Sequence, residues 1–445
     1  MSKIGYMSEV VRKLVRVVLP FYLFTFLPLA ASAQINEDDD DEEEVVVTSD
    51  DEIIVMDQEG NEEVIEFPEA MTYDLDSLLN LYTSKTYLDE EDCNMRDINP
   101  VFSKEEYIDR LSRIPTVMEM AYNDVVQKFI DRYSGRLRHS ISYMLGASNF
   151  YIPIFEEALE AYQLPLELKY LPIIESALNP KAVSRVGATG LWQFMITTGK
   201  QYGLQVNSLL DERRDPVKAS YAAARYLRDL YRVFGDWNLV IAAYNCGPEN
   251  INKAIHRSNG EKDYWQIYPY LPKETRGYVP AFIAANYMMT YYSQHNICPM
   301  STRLPAKTDT VMVNRNLHLE QVAEVIGINI DLLRSLNPMY RRDIVPGLTQ
   351  PCPLRLPQTE VGKFIDMEDS VYTYKVDELL NKRTEVEVKD DVPTYYHKSK
   401  RYARGKKGRY SKRHAVHKGK KSKASRRKAT TPKKRKSTTR KRRRR

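Results

Sequence analysis

Two segments of the chain are so highly charged that we expect neither to join a packed core, which would confine folded domains to the residues between them. Residues 34–69 contain 17 acidic residues and no basic residue, whereas residues 397–445 contain 26 Lys and Arg and no acidic residue. Stretches of like charge repel themselves and stay solvated. We therefore expect an acidic disordered arm, a basic disordered tail, and folded domains within residues 70–396. A chain of 445 residues, 42% of them hydrophobic, can still bury a sizeable core, which excludes a wholly disordered protein.

Residues 1–33 have the three parts of a secretory signal peptide. Four basic residues occur near the start, residues 17–29 are largely apolar, and small residues follow at 31–33. The apolar run is shorter than the ~20 residues of a membrane-spanning helix, so a retained anchor is the weaker interpretation. No cysteine directly follows the run, which disfavours a lipid anchor. We expect cleavage after residue 33 and an exported, periplasmic protein.

Export permits disulfides, but the four cysteines are too few and too dispersed for a disulfide scaffold. Cys93, Cys246, Cys298 and Cys352 allow three full pairings, and the sequence does not choose among them. Cys298 with Cys352 is the weak favourite, because the two flank one short segment. Cys246 as a free structural thiol is as well supported as Cys246 in a disulfide. CxxC and HExxH are both absent from the sequence and its seven His are scattered, so we expect no metal site.

Residues 70–300 show helical spacing of apolar residues with few strand signals. We predict a helical N-terminal extension over residues 70–150 and an all-α catalytic domain over residues 151–300. Asp215 followed by Pro216 is typical of a helix N-terminus, with Asp as the N-cap and Pro at the first helical position. This pair predicts a helix that runs to about residue 234.

Glu175 is the strongest candidate for chemistry, because it lies near the end of an apolar predicted helix. Burial raises the pKa of a Glu from ~4.3 towards neutrality, and a carboxyl group still protonated near pH 7 can act as a general acid at a glycosidic oxygen. Glycines at 187 and 190 let the backbone approach closely, and residues 192–195 supply apolar and amide groups that suit a sugar. Without further signals, a buried Glu on a helix is more often a structural residue than a catalytic one.

Three motifs that follow one another along the chain favour a catalytic role for Glu175. Glu175-Ser176, Gly-Ala-Thr-Gly-Leu-Trp-Gln-Phe-Met at 187–195 and Ala-Tyr-Asn-Cys-Gly at 243–247 resemble the family 1 lytic transglycosylases. Asp-Glu-Arg-Arg-Asp-Pro at 211–216 and Glu-Thr-Arg-Gly-Tyr-Val at 274–279 narrow the resemblance to the membrane-bound lytic transglycosylase D type. The resemblance implies a goose-lysozyme-like helical fold that cleaves peptidoglycan glycan strands without a cofactor.

By the same resemblance, Glu175 is the single catalytic acid and base, and eight residues surround the substrate. The residues that line the sugar subsites are Ser184, Gln193 and Met195. Those that hold Glu175 and the substrate are Tyr244 and Asn245, and those that shape the groove wall are Glu274, Thr275 and Tyr278. Residues 176–195 contain no second acidic residue, which suits a mechanism that needs only one carboxyl group.

The implied reaction cleaves the bond between N-acetylmuramic acid and N-acetylglucosamine without water and leaves a 1,6-anhydro end. One alternative keeps the fold and adds water across the same bond, as a goose-type lysozyme does. A second alternative is a catalytically inactive protein that binds the cell wall.

Residues 309–357 are predicted to form a small βααβ module. Leu-Glu-Gln-Val-Ala at 319–323 and Leu-Asn-Pro at 336–338 resemble a LysM carbohydrate-binding module, although Arg-Asn-Leu at 315–317 replaces its usual Gly-Asp-Thr. The resemblance implies binding of glycan that contains N-acetylglucosamine, with a structural cap on the catalytic domain as the alternative. Residues 358–396 are predicted to be a linker.

The basic tail favours an anionic partner. Nucleic acid is disfavoured by export and by the small number of aromatic residues for base stacking, Tyr402 and Tyr410. Anionic envelope polymers, a membrane surface or the acidic arm of the same chain fit better, and solvated disorder without a partner is the alternative.

Overall fold

The structure is a computed structural model, which describes residues 53–56, 62–72, 83–87 and 98–380. The predicted signal peptide and basic tail lie outside the described residues. The described part contains a helical first domain and a smaller second domain with strands, and this confirms the predicted all-α domain with a small βααβ module. No helix within the described ranges is long and apolar enough to cross a membrane.

Eleven α-helices form the first domain within the described residues. They are α1 (Lys104–Ser112), α2 (Asp124–Ser134), α3 (Arg138–Ala161), α4 (Leu171–Ser176), α5 (Ile196–Gln201), α6 (Pro216–Phe234), α7 (Trp237–Cys246), α8 (Pro248–Arg257), α9 (Tyr264–Ile267), α10 (Lys273–Arg276) and α11 (Tyr278–Tyr291). Helix α11 is apolar on all sides, and every residue from Tyr278 to Met289 is buried. Such a helix is stable only at the centre of a core, and α2, α4 and α7 pack against it.

Two antiparallel strand pairs accompany the helices. The strands are β1 (Ile53–Met56), β2 (Glu62–Ile65), β3 (Thr83–Tyr87) and β4 (Met300–Thr302). β1 pairs with β2, with Ile53 opposite Ile65, and β3 pairs with β4. A short 3₁₀ helix, Glu69–Thr72, follows β2 and packs against α4.

The segment around β1 and β2 is part of the folded domain, in contrast to the solvated arm predicted over residues 34–69. Ile53, Val55 and Ile65 are buried, and the Phe67 ring lies 4.7 Å from the ring of Phe129 on α2. Burial alternates along β1, with Ile53 and Val55 buried and Ile54 exposed, so one face of the strand packs against the core. The sequence does not indicate this buried face, because acidic residues dominate the composition of residues 34–69.

The predicted boundary at residue 150 also differs from the structure. Helix α3 runs from Arg138 to Ala161 without a break, and Pro153 lies inside it although proline usually interrupts a helix. Because α2 packs directly on α11, the predicted N-terminal extension and the catalytic domain share one core.

The predicted start and end of helix α6 are confirmed. The Asp215 side chain accepts hydrogen bonds from the backbone N–H groups of Val217 and Lys218, and Pro216 opens the helix. The helix ends at Phe234, before Gly235 with a left-handed φ of 69°. The N-cap at Asp215 fixes the direction in which the preceding 211–215 segment enters the helix.

The second domain has its own core. Its strands are β5 (Thr308–Val313), β6 (Asn316–His318), β7 (Ile344–Pro346) and β8 (Cys352–Pro357), and its helices are α12 (Leu319–Ile326), α13 (Ile330–Leu336), α14 (Val361–Asp366), α15 (Glu368–Thr373) and α16 (Val376–Leu379). β5 pairs antiparallel with β8, and β6 with β7. Leu317, Val322 and Leu354 are fully buried in its centre.

The segment predicted to be a linker, residues 358–396, is helical as far as the structure describes it. Phe364 and Val371 are buried in the core of the second domain, and α15 packs against α12. The helices α14 and α15 are six residues each, which is too short to show a helical period in sequence. The second domain therefore extends well beyond the predicted end at residue 357.

The favoured cysteine pairing is wrong. Cys298 takes part in a disulfide, whereas Cys352 is a free, buried thiol. Cys246 is free, which was one of the two open interpretations. Among the described residues, no cluster of His, Cys, Asp and Glu has the arrangement of a metal site.

Candidate functional site

Glu175 lies in the last turn of helix α4, against the central helix. The rest of α4 is buried, and Pro172 stands in its first turn. The helix ends immediately after Ser176, because Ala177 and Leu178 both adopt left-handed backbone angles, with φ of 48° and 60°. This abrupt end leaves the half-buried Glu175 side chain at the rim of the core.

Tyr278, the first residue of α11, donates its phenolic hydrogen to Oε1 of Glu175. Burial raises the pKa of Glu175 to about 7, although the hydrogen bond from Tyr278 opposes the rise. Burial and the nearby Glu175 carboxyl also raise the pKa of Tyr278 well above its ordinary value. The phenol therefore remains a donor, and the carboxyl group exchanges its proton near neutral pH.

A tight loop over residues 187–194, here called the substrate loop, faces the end of α4. Thr189 and Phe194 exchange two backbone hydrogen bonds of 3.1 and 3.2 Å, which closes the loop on itself. Gly190 has a φ of 88°, and a Cβ at this position would overlap the backbone oxygen of Arg213. Only glycine permits both the backbone angle and the close approach.

Two side chains near Glu175 fasten the substrate loop. Ser176 Oγ donates to the Leu191 carbonyl at 3.0 Å, and Tyr244 OH donates to the Trp192 carbonyl at 2.8 Å. Trp192 is itself fixed, because its Nε1 donates to Ser220 Oγ at 2.9 Å. Tyr244 thus holds the loop next to Glu175, whereas Tyr278 contacts the carboxyl group itself.

The three residues expected to line the sugar subsites lie on or beside this loop. Ser184, Gln193 and Met195 are each half-buried. Ser184 Oγ accepts from the Ala188 N–H at 3.0 Å. Gln193 has a left-handed φ of 45°, and its Nε2 donates to the Gly190 carbonyl at 2.8 Å. These hydrogen bonds hold the polar groups of Ser184 and Gln193 in place at the loop.

The expected groove wall comes from the segment between α9 and α11. Thr275 is buried, and its Oγ1 donates to Asn245 Oδ1 at 3.0 Å, which orients the exposed amide at the end of α7. Glu274 is exposed beside it. Elements far apart in sequence thus bring Tyr278 to Glu175 and Thr275 to Asn245, whereas no hydrogen bond or ion pair joins Ser184, Met195 or Glu274 to Glu175 in the described part of the chain.

The residues that support the substrate loop lie in the motif at 211–216, but the sequence does not show which loop they hold. Arg213 is 6% exposed, and its Nη1 donates to the carbonyls of Gly187 and Phe194, both at 3.1 Å. Its partner Asp211 is fully buried. The motif marks this segment, but the contacts of Arg213 with Gly187 and Phe194 span 26 and 19 positions and have no local signal in sequence.

Two family models match this chain, one in the region of each hydrophobic core. The Transglycosylase SLT domain model matches residues 153–267, and the model described as Lytic transglycosylase MltD, LysM-like domain matches residues 307–373. The chain carries an SLT transglycosylase domain and an MltD-type LysM-like domain. The second match covers α14 and α15, which supports their place in the LysM-like domain rather than in a linker.

Curated relatives match the SLT domain region. The membrane-bound lytic murein transglycosylase D of Escherichia coli strain K12 is 34% identical over 178 residues, which cover 39% of this chain and 39% of the relative. The soluble lytic murein transglycosylase of the same strain is 34% identical over 124 residues, or 26% of this chain and 19% of the relative. The chain spans about two fifths of the length of the first relative and one fifth of the second.

Among solved structures, the 70 kDa soluble lytic transglycosylase of Escherichia coli is 30% identical over 32% of this chain and 24% of its own, with a TM-score of 0.29. The SLT domain match contains Glu175, the substrate loop and Tyr244 but ends before α10 and α11. Tyr278, the direct partner of Glu175, comes from outside the matched range.

Proposed function

We propose that the protein is a peptidoglycan lytic transglycosylase with Glu175 as its single acid and base. The observation that supports this most directly is the half-buried carboxyl group of Glu175, which has a pKa of about 7 and accepts a hydrogen bond from Tyr278 within an SLT domain. At neutral pH such a group is present in both protonation states, so it can give up a proton and take one back within a single turnover.

In the proposed reaction Glu175 transfers its proton to the oxygen between N-acetylmuramic acid and N-acetylglucosamine as the bond from C1 breaks. The bonding electrons leave with the departing oxygen, and the muramyl acetamido group stabilises the positive charge at C1. The Glu175 carboxylate then removes the proton of the C6 hydroxyl, whose oxygen bonds to C1. The product is a 1,6-anhydromuramyl end, and Glu175 is protonated again.

The supporting residues would control geometry rather than supply protons. Tyr278 would keep the Glu175 carboxyl in one orientation, and Ser176 and Tyr244 would keep the substrate loop beside it. Residues 176–195 contain no second acid to activate water, which favours closure by the C6 hydroxyl over hydrolysis.

The proposal is tested by analysing the fragments that the purified protein releases from sacculi. We expect anhydro-ended fragments, each one water lighter than its hydrolysed counterpart. Fragments with the mass of the hydrolysed product would instead show a goose-type lysozyme, and retention on sacculi without any release would show an inactive wall-binding protein.

Substitution of the proposed acid gives the matching test on the protein. Glu175→Gln is expected to lower the release rate by about 10³-fold, because it removes general acid and base catalysis while preserving shape. Glu157→Gln is the matched control, since Glu157 also accepts a hydrogen bond from a tyrosine, Tyr221 at 3.0 Å, on an exposed part of α3. Undiminished release by Glu175→Gln would exclude Glu175 as the acid.

For the LysM-like domain we propose glycan binding. Leu348, in the loop after β7, exposes 75% of its apolar side chain and could pack on a sugar ring. In full chains that carry Glu175→Gln, Leu348→Asp is expected to weaken retention on insoluble peptidoglycan several-fold. Met312→Asp on β5, where the side chain is 57% exposed, is the control. Equal retention of both variants and the parent would favour the structural cap.

We also propose that the protein is exported to the periplasm, from the signal-like residues 1–33, and that the basic tail binds an anionic envelope surface. Export predicts a mature chain that begins after residue 33 in the periplasmic fraction. Surface binding predicts salt-sensitive association with anionic vesicles that is lost when residues 397–445 are removed.

A further inference from the structure

We propose that Asp211 is a positioning residue through which the LysM-like domain holds the substrate loop in its working shape. On this proposal the LysM-like domain contributes to turnover itself and is more than a tether to the cell wall. The inference rests on the proposed transglycosylase function. It concerns a buried cluster of three residues, Asp211 and Arg213 of the first domain and Arg341 of the LysM-like domain, here called the coupling cluster.

The coupling cluster joins the two domains through one carboxyl group. Arg213 binds Asp211 with two hydrogen bonds of 3.0 Å, Nε to Oδ1 and Nη2 to Oδ2. Arg341 donates from Nη2 to the same Oδ2 at 2.8 Å. Asp211 is fully buried, and the side chains of Arg213 and Arg341 are 7% and 19% exposed. Charge-assisted, two-pronged contacts of this kind fix direction as well as distance.

Backbone contacts hold the same interface in register. The Asp211 N–H donates to the Met339 carbonyl at 2.9 Å, and the Arg341 N–H donates to the Leu209 carbonyl at 2.8 Å. Leu210 on one side and Tyr340 on the other are buried between these bonds. The LysM-like domain is therefore attached at the position of Asp211 and does not hang from a flexible connection there.

The coupling cluster reaches the substrate loop through Arg213. While its Nε and Nη2 are occupied by Asp211, its Nη1 donates to the carbonyls of Gly187 and Phe194, at the two ends of the loop. The Arg213 backbone also packs against Gly190. Any shift of the guanidinium group must therefore move both ends of the loop that carries Gln193.

The charges of the coupling cluster explain why the contact with Arg341 matters. Burial disfavours the charge of Asp211, yet Arg213, Arg214 and Arg341 together hold the pKa of Asp211 below its ordinary value. Removal of Arg341 takes away one of the cations that compensate a buried carboxylate. Arg213 would then be the main remaining partner and would be drawn further towards Asp211, away from the loop carbonyls.

The proposal differs from simple tethering in its effect on short, soluble substrates. A tether raises the local concentration of an insoluble polymer but cannot improve turnover of a short glycan that occupies only the groove. A positioning effect would act on both kinds of substrate, because the geometry of the substrate loop matters for each.

The test compares full-length wild type with Arg341→Ala on a soluble glycan tetramer and on intact sacculi. We expect kcat on the tetramer to fall about tenfold with less than a twofold change in KM, because misplaced groups lower reactivity more than ground-state binding. Arg341→Lys, which keeps the charge, is expected to recover part of the loss. Arg315→Ala is the matched control, since Arg315 pairs with Asp369 within the LysM-like domain.

Hydrogen exchange supplies a readout that does not depend on activity. The amides of Thr189 and Phe194, which bond to each other across the loop, are expected to exchange faster in Arg341→Ala and at the wild-type rate in Arg315→Ala. If Arg341→Ala unfolds, the folded Arg341→Lys variant is measured instead, with a smaller effect of the same sign expected in both readouts.

An unchanged kcat on the tetramer, or unchanged exchange in the loop, overturns the inference. Loss of activity on sacculi alone would assign the LysM-like domain to tethering. If wild type itself releases no anhydro fragments, the proposed function fails, while the exchange measurement still decides whether the LysM-like domain holds the loop.

Discussion

Glu175 illustrates at the scale of one residue how a proposed catalytic group opposes stability. Its pKa is about 7 in the folded chain, against an ordinary value of 4.5. Between these two values the folded state binds more protons than the unfolded state, so the stability contribution of Glu175 falls as the pH rises from 4.5 to 7. Above pH 7 the half-buried Glu175 carboxylate is ionised and destabilises the folded state. At 1.36 kcal/mol per pKa unit, this loss of stability amounts to as much as ~3 kcal/mol.

Glu175→Gln is therefore expected to stabilise the protein at high pH. The amide cannot ionise, so the free energy of unfolding of the variant should exceed that of wild type by about 2–3 kcal/mol at pH 8 and by almost nothing at pH 4. Urea unfolding at the two pH values measures the difference, with Glu157→Gln as the control that should show no such dependence. A gain of the same size at both pH values would mean that burial does not disfavour the Glu175 charge.

Tyr278 should set the pH at which activity declines. Glu175 must be protonated to donate, so kcat/KM is expected to fall as the pH rises through about 7. The hydrogen bond from Tyr278 favours the charged carboxylate and lowers its pKa. Tyr278→Phe should consequently move this decline to higher pH, as measured in a pH profile of kcat/KM.

Tyr244→Phe separates this effect from general damage to the site. Tyr244 donates to the Trp192 carbonyl rather than to Glu175, so its loss should reduce kcat/KM at every pH and leave the midpoint of the decline in place. A shift of the Tyr278→Phe midpoint to lower pH would contradict the assigned role of the hydrogen bond.

At the scale of an element, the substrate loop offers a matched pair of glycines. Gly187 and Gly190 have nearly the same left-handed φ, 89° and 88°, but only a Cβ at Gly190 would meet neighbouring atoms. Gly187→Ala is expected to cost about 1 kcal/mol from backbone strain alone. Gly190→Ala adds overlap with the Arg213 backbone and should cost about 3 kcal/mol or more.

Urea unfolding of both alanine variants measures the two costs, and the difference between them reports how tightly the loop is pressed against Arg213. Equal losses of stability in the two variants would show that the loop can move away from the Arg213 backbone without cost. In that case the contact between Arg213 and the loop could not transmit a change from the LysM-like domain.

At the scale of elements, the sequence predicts those features whose interacting residues are close together in the chain. The helix that Asp215 and Pro216 begin was predictable, because a cap and its helix are neighbours in sequence. The motif around Glu175 was recognisable for the same reason. The contact between Tyr278 and Glu175 spans 103 positions, and that between Arg341 and Asp211 spans 130. No local pattern specifies such pairs.

The misjudged segments have a related cause. Strands β1 and β2 are four residues each, and acidic residues surround them, so the acidic composition outweighed the few apolar residues that the strands bury. Helices α14 and α15 are six residues each and are stable only against the core of the LysM-like domain. In both cases tertiary packing decides the structure, and composition alone gave the wrong answer.

At the scale of the whole molecule, residues 62–72 connect both sides of the candidate groove. Glu69 accepts from the Arg185 N–H at 3.2 Å, next to Ser184, which is proposed to line a sugar subsite. Glu63 pairs with Arg276, next to the proposed groove wall. Ile65, between these two contacts, and Met71, just after them, are almost fully buried. The segment thus supports the two walls from outside the SLT domain match.

This arrangement predicts different results for two N-terminal truncations. A chain that begins at residue 73 loses several buried apolar side chains, each worth about 1.5–3 kcal/mol, and its Tm should fall by roughly 10 °C or more. A chain that begins at residue 46 loses the eight consecutive acids at 37–44 but keeps β1 and β2. It should retain the Tm of the chain that begins at residue 34.

Thermal unfolding of the three chains followed by circular dichroism decides between the structure and the predicted arm. A solvated arm contributes no packing, so it requires all three Tm values to agree. A loss confined to the chain that begins at residue 73 would show that acidic composition and a folded role coexist in one segment. Ion pairs with Arg185 and Arg276 make that possible, because they place its carboxylates against the basic residues on either side of the groove.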